Sequence, residues 1–202
     1  MADIDQALVF DYDGVIADTE PLHWRSWAAL LSPFGVQLSW EEYCAFGLGA
    51  DDTQIYERLS KQARLPAESG FSLLNLERKR RVREWSMKQT PIPQETVALF
   101  RSGLLKRRIG LVTSSGRSEV EPVLRAAQIY DRFHAMVFGE DSPSAKPSPQ
   151  PYRLIARRLG VESGIAFEDS ESGLESARAA GFKTVRIERP DELARVVAQF
   201  LG

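Results

Sequence analysis

Short apolar runs, each stopped by a polar turn and separated by stretches of helical periodicity, restrict this chain more than any other feature. Ala7–Phe10, Ile109–Val112, Ala135–Phe138, Ile165–Phe167 and Thr184–Ile187 are rich in β-branched and aromatic side chains and read as buried strands. From Gln94 onward, Val120/Val123/Leu124/Ala127, Tyr152/Ile155/Leu159 and Leu174/Ala177/Ala180 recur between the runs at helical spacing. Gly160 and Gly181 stand where left-handed caps would end the second and third of these helices. Strands alternating with helices in this way must run parallel, joined by crossovers, so the expected fold is α/β, a doubly wound, Rossmann-like sheet.

The segment from Ala17 to about Gln89 departs from that alternation. Its apolar positions (Leu22, Trp27, Leu31, Phe34; Ile55, Tyr56, Leu59, Ala63) keep helical spacing with almost no strand-like alternation. It reads as a helical insert after the first strand, and Pro91-Ile92-Pro93 reads as the return linker, since prolines oppose both helix and central strand. The expected organisation is a core domain of residues 1–16 and 90–202 with an inserted helical domain of residues 17–89. A chain of 202 residues, 43% hydrophobic and 27% charged, is long enough to bury such a core.

Composition narrows the partners. With 26 basic against 28 acidic residues the net charge is −2, which offers no field for a polyanion, so no nucleic-acid partner is expected. One cysteine, Cys44, and two histidines provide neither a disulfide nor a Cys/His zinc framework, consistent with a reducing compartment. The opening MADIDQALVFDYDG lacks the basic flank and apolar core of a signal peptide, and no run approaches the ~18 apolar residues of a membrane span. A cytoplasmic monomer without a membrane partner is expected.

In an open parallel sheet, ligands sit beyond the carboxyl ends of the strands. The first run is followed by Asp11-Tyr12-Asp13-Gly14, the second by Thr113-Ser114-Ser115-Gly116, and the fourth by Glu168-Asp169-Ser170; the loop after the third carries Lys146. Up to four carboxylates, an ammonium and a hydroxyl thus converge on one edge. That many like charges cannot be desolvated together without a cation, and oxygen ligands select a hard one, Mg2+. Each piece has a plainer use. An acidic pair can be a solvated turn, Lys146 a surface lysine, Thr113 a strand terminus, Ser114 an N-cap, and Glu168-Asp169 a cap for the next helix.

Taken together, and in this order, the motifs resemble the haloacid dehalogenase superfamily, in its branch with a helical cap inserted after the first strand. The resemblance spans nearly the whole chain. Asp11-Tyr12-Asp13-Gly14-Val15 is similar to the first motif, Thr113 to the second, Lys146 to the third and Glu168-Asp169 to the fourth. The stretches DYDGVIADTEPLH and FEDSESGLESARAAG most resemble the sugar-phosphate phosphatase and β-phosphoglucomutase group.

The resemblance implies a magnesium-dependent phosphatase of small phosphorylated metabolites working under a mobile cap. Asp11 would attack phosphorus to form an aspartyl-phosphate, and Asp13 would act as acid and then base. Thr113, with neighbouring backbone N–H groups, would bind the phosphoryl oxygens, and Lys146 would neutralise charge. Asp11, the Asp13 carbonyl, Asp169 and Glu168 would hold the metal. Ser114 and Ser115 are substrate-binding candidates. In the insert, His23 is similar to a cap-hinge histidine of the mutases, or is a structural histidine. Lys79 best matches a cap lysine, within Glu77–Glu84, a run of five basic residues that otherwise reads as a solvated helix face. Trp24, Trp27, Trp40 and Trp85 read as core or interface residues.

Two features bear on reaction type. Relatives that cleave carbon–halogen or carbon–phosphorus bonds lack the second acid of the first motif; Asp13 is present, favouring phosphate esters. Where the mutases carry an arginine for a distal phosphate, this chain reads Gly47-Leu48-Gly49-Ala50, so Ala50 removes a bidentate partner. The alternatives are a β-phosphoglucomutase and a catalytically silent binding module. The latter would show a lost nucleophile or metal ligand, and no such loss is visible.

Overall fold

The computed structural model describes residues 6–47, 50, 52–62, 64–65 and 70–200. Leu48, Gly49 and Ala63, named above, lie outside the described residues. In chain order the elements are β1 (Ala7–Phe10), α1 (Glu20–Leu31), α2 (Trp40–Cys44), α3 (Asp52–Lys61), α4 (Phe71–Lys88), α5 (Gln94–Arg101), β2 (Ile109–Val112), α6 (Arg117–Ala126), β3 (Ala135–Val137), α7 (Gln150–Leu159), β4 (Gly164–Glu168), α8 (Glu171–Ala179), β5 (Lys183–Arg186) and α9 (Leu193–Ala198). Two compact units result: Met1–Asp18 with Thr90–Gly202, and Thr19–Gln89.

The first unit is a five-stranded parallel sheet of order β3-β2-β1-β4-β5. Successive residues of β1 face opposite sides, as the two-residue period of a strand requires. Leu8 and Phe10 enter one apolar layer with Leu111, Ile165 and Phe167. Ala7 and Val9 enter the other with Tyr152, Ile155 and Leu159 of α7. Phe10 stacks on Phe167 across the β1–β4 pair, with ring centroids 4.8 Å apart. Both faces being covered, β1 and β2 are apolar throughout.

The edges correct the sequence reading. β3 stops at Val137, because the N–H of Phe138 turns to Asp141 Oδ2 at 3.1 Å. β4 gains Gly164 and Glu168, pairing with Ala7 of β1 and Arg186 of β5. β5 lies one residue earlier than expected, and neither of its end residues, Lys183 and Arg186, is buried. As an edge strand it has one neighbour and a charged rim, a usual defence against edge pairing. Gly160 and Gly181 both adopt positive φ at the ends of α7 and α8, as their sequence positions imply.

The second unit is helical among its described residues. α1, α2 and α3 contribute Trp27, Leu30, Leu31, Tyr43, Ile55 and Leu59 to a small apolar centre of its own. Ser39 caps α2, its Oγ accepting from the N–H of Glu42 at 3.1 Å. α4 is different: the buried residues along it are Arg78, Val82 and Ser86.

Candidate active site

β1 is the switch point of the sheet, with β2 and β3 on one side and β4 and β5 on the other. At such a point the connections diverge and leave a crevice at the carboxyl ends of the strands. Asp11 follows β1 there. Its N–H extends the ladder by one bond, donating to Phe167 O at 3.0 Å, and the residue is buried.

Lys146 reaches this point from the loop before α7. Its Nζ donates to Asp11 Oδ1 and to Glu168 Oε1, each at 2.6 Å, and to Val112 O at 3.2 Å. Glu168 is the last residue of β4 rather than part of the following loop, and it is wholly buried. Its Oε1 also accepts from Tyr152 Oη at 2.6 Å. Asp13 is half-buried; its Oδ2 accepts from Ser115 Oγ at 2.7 Å and lies 3.4 Å from Thr113 Oγ1. The Ser115 N–H donates to Thr113 Oγ1 at 2.9 Å, and the Thr113 N–H to Val137 O at 3.0 Å. Two of the backbone donors that could meet a phosphoryl group are therefore engaged within the fold. Ser114 is exposed beside them.

Burial raises the Asp11 carboxyl well above the ordinary range; Lys146 opposes this, and Glu168, Asp169 and Asp13 add to it. For Lys146, burial alone would lower the pKa, but Asp11 and Glu168 outweigh it and keep the ammonium charged. Asp169 is pushed up from 3.8 to about 6, first by burial and then by Glu168. Asp11, Glu168 and Asp169 each offer an oxygen, all within 4.8 Å of one another. Glu168 Oε2 is buried with no hydrogen-bond partner among the described residues. Three carboxylates share one buried ammonium, and the donors are all oxygen. This set fits a hard divalent cation.

Gly14 makes the approach possible. Its φ of +74° turns the chain back after Asp13, and a Cβ there would stand 2.2 Å from Asp169 Oδ2. Gly14→Ala is expected to cost about 1–3 kcal/mol of stability and to displace Asp169. Urea denaturation and a magnesium titration check this; wild-type values in both would contradict it.

The Asp169 shift has a pH consequence. An acid with a folded pKa above its unfolded value binds more protons when folded, so metal-free stability from this group falls as pH rises from 3.8 to about 6. A hard divalent cation held there needs the carboxylate. Magnesium addition should therefore raise the melting temperature more at pH 7 than at pH 5, and equal shifts would contradict this.

The sheet unit thus brings Asp11, Asp13, Thr113, Ser115, Lys146, Glu168 and Asp169 together. His23 and Lys79 belong to the helical unit, both half-buried, on α1 and α4. Arg78, in the basic run, meets His23, with Nη1 2.7 Å from His23 Nδ1. Arginine can only donate, so Nδ1 accepts. Arg78 is buried and pairs with Asp52 Oδ2 at 2.5 Å. Arg80 pairs with Glu77 and Glu84, and Arg81 with Glu77, the ion pairs of a solvated helix face. Ala50 packs against the helical unit's apolar centre. Trp27 is in that centre, and Trp24 Nε1 donates to Leu38 O. Trp40 is partly exposed, and Trp85 lies under the Arg25 guanidinium.

Comparison with known proteins adds to this geometry. The model of the haloacid dehalogenase-like hydrolase family matches residues 8–187. A phosphorylated carbohydrates phosphatase of Thermotoga maritima is 30% identical over 183 residues, covering 89% of this chain and 83% of its own. The fructose-1-phosphate phosphatase of Escherichia coli is 30% identical over 185 residues, covering 89% and 95%. Among solved structures, CbbY of Rhodobacter sphaeroides in complex with phosphate superposes with a TM-score of 0.74 at 27% identity, covering 89% of this chain and 84% of that one. No helix among the described residues is long and apolar enough to cross a membrane.

Proposed function

This chain belongs to the haloacid dehalogenase-like hydrolase family and is a phosphomonoester hydrolase; on that premise we propose that it hydrolyses phosphorylated carbohydrates through an aspartyl-phosphate on Asp11. The observation that carries the reading is the meeting of Asp11 with Lys146 at the switch point, with Asp13 two residues on and hydrogen-bonded to Ser115. The Thermotoga and Escherichia relatives support the carbohydrate class.

A phosphate monoester repels nucleophiles, so catalysis is mainly neutralisation and alignment. An Asp11 oxygen attacks phosphorus as the ester P–O bond breaks, and Asp13 gives its proton to the leaving oxygen. Asp13 then takes a proton from water, whose oxygen attacks the phosphorus of the aspartyl-phosphate. Phosphate leaves and Asp11 is restored. Lys146 holds positive charge against Asp11 throughout, and Thr113, Ser114 and Ser115 line the phosphoryl side. Asp11, the Asp13 carbonyl, Asp169 and Glu168 would hold Mg2+, which supplies charge neutralisation at the phosphoryl oxygens. The helical segment 17–89 is assigned as the family's cap insert in a core of residues 1–16 and 90–202, with His23 and Lys79 as its substrate-binding candidates.

Hydrolysis is favoured over isomerisation because Ala50 stands where a mutase would place an arginine, and a mutase must grip a second phosphate while it turns over. The test pairs two assays: phosphate release across a panel of sugar phosphates, and formation of glucose 6-phosphate from β-glucose 1-phosphate with a bisphosphate activator. Phosphate release that depends on magnesium and outpaces isomerisation is expected. Release that persists in metal-free buffer, or isomerisation much faster than release, would overturn the corresponding part of the reading.

A further inference from the structure

Tyr152 lies in the apolar stripe of α7, where a phenylalanine would fill the same space. It is wholly buried, and its ring packs edge-on against Phe182 with centroids 5.4 Å apart. The phenol oxygen serves another purpose. It donates to Glu168 Oε1 at 2.6 Å, the atom that also accepts from Lys146 Nζ at 2.6 Å. Glu168 is wholly buried and its Oε2 has no hydrogen-bond partner among the described residues, so among these the donors holding the carboxylate are the ammonium and the phenol. Lys146 in turn bridges Glu168 and Asp11.

We infer that Tyr152 is a positioning residue: its hydroxyl fixes the Glu168 carboxylate in the rotamer that holds Lys146 against Asp11. The inference rests on the phosphatase reading above. With the phenol gone, the ammonium is left as the hydrogen-bond donor that orients the carboxylate, and no hydrogen bond at Oε2 among the described residues takes over. The ammonium then follows one carboxylate or the other rather than sitting 2.6 Å from both. Misplaced charge near the attacking oxygen weakens the transition state more than the bound substrate, so the loss belongs in kcat.

The test is Tyr152→Phe, with Glu168→Gln and the double variant completing a cycle, each assayed with p-nitrophenyl phosphate at saturating magnesium and followed through thermal denaturation. Tyr152→Phe is expected to lower kcat about tenfold to hundredfold, with KM within about twofold and the melting transition still cooperative. In the Glu168→Gln background the same change should cost less than about threefold, because the hydroxyl acts through Glu168 alone. A residue that only packs the core would instead give independent, multiplicative losses. The inference fails if Tyr152→Phe retains kcat within twofold of wild type, if KM rises as much as kcat falls, or if the two losses multiply. Should Tyr152→Phe not fold, the double variant compared with Glu168→Gln alone decides: equal kcat supports the role, and a further large loss overturns it. A wild-type protein inactive on every phosphomonoester would overturn the phosphatase reading itself, an outcome distinct from active wild type with an indifferent Tyr152.

Discussion

Asp11→Asn is expected to lower phosphate release by at least about a thousandfold while the protein stays folded. The amide oxygen cannot form the phosphoryl bond, and an amide is a weaker ligand for a hard cation than a carboxylate. Stability should change little. Burial and the neighbouring Glu168, Asp169 and Asp13 make ionised Asp11 unfavourable, which offsets the loss of its pairing with Lys146, an ammonium that still donates to Glu168. Folded protein with lost turnover is thus the signature of a nucleophile rather than of a structural ion pair. Phosphate release and urea denaturation on the same preparation check both halves. More than a few per cent of wild-type turnover in a folded variant would remove Asp11 from its role.

The central strands and the residues behind them were legible because one physical constraint determines both. β1 and β2 are flanked by strands on each side and covered on both faces, so each is a four-residue apolar run ending where the core ends. Asp11 and Thr113 stand just past those ends, and Glu168 closes β4. The edges were less legible. β5 reads Lys183-Thr184-Val185-Arg186, and with one paired side and exposed ends it lacks the apolar continuity that marks a buried strand.

Two partners of the polar clusters could not be found by periodicity. Tyr152 sits at a helical core position, and its ring behaves as one; only the buried phenol, which must find an acceptor, hints at more. Arg78 is hidden differently. The buried face of α4 carries Arg78, Val82 and Ser86 at intervals of four, so a guanidinium and a hydroxyl occupy places that apolar residues would advertise. Within a run of five basic residues nothing local separates Arg78 from Lys79. The distinction comes from Asp52 and His23, far away in sequence, which accept the Arg78 donors.

Lys146→Met should be the most damaging single change to stability, and it should lower turnover as well. The Lys146 side chain is 8% exposed and bridges Asp11 at 7% and Glu168 at 0%, so its loss leaves two buried carboxylates facing one another. Breaking such a buried pair by removing one partner costs about 3–5 kcal/mol, and losing the cation that balances the phosphoryl group costs about a further hundredfold or more in kcat. The stability loss must depend on pH. In the wild type the Lys146 pKa is raised, so its stabilising contribution is fully present below its ordinary value of 10.5 and does not vary between pH 5 and pH 8. In the variant, Asp11 loses the ammonium that lowers its pKa. A carboxyl that takes up a proton on folding is stabilised as pH falls. The deficit should therefore be largest near pH 8 and shrink toward pH 5, as a proton replaces the missing ammonium between the two carboxyls. Urea denaturation of wild type and variant at both pH values, without metal, reads this directly. A deficit below about 1 kcal/mol, or one that is the same at both pH values, would mean that Lys146 is not the charge that holds the buried carboxylates together.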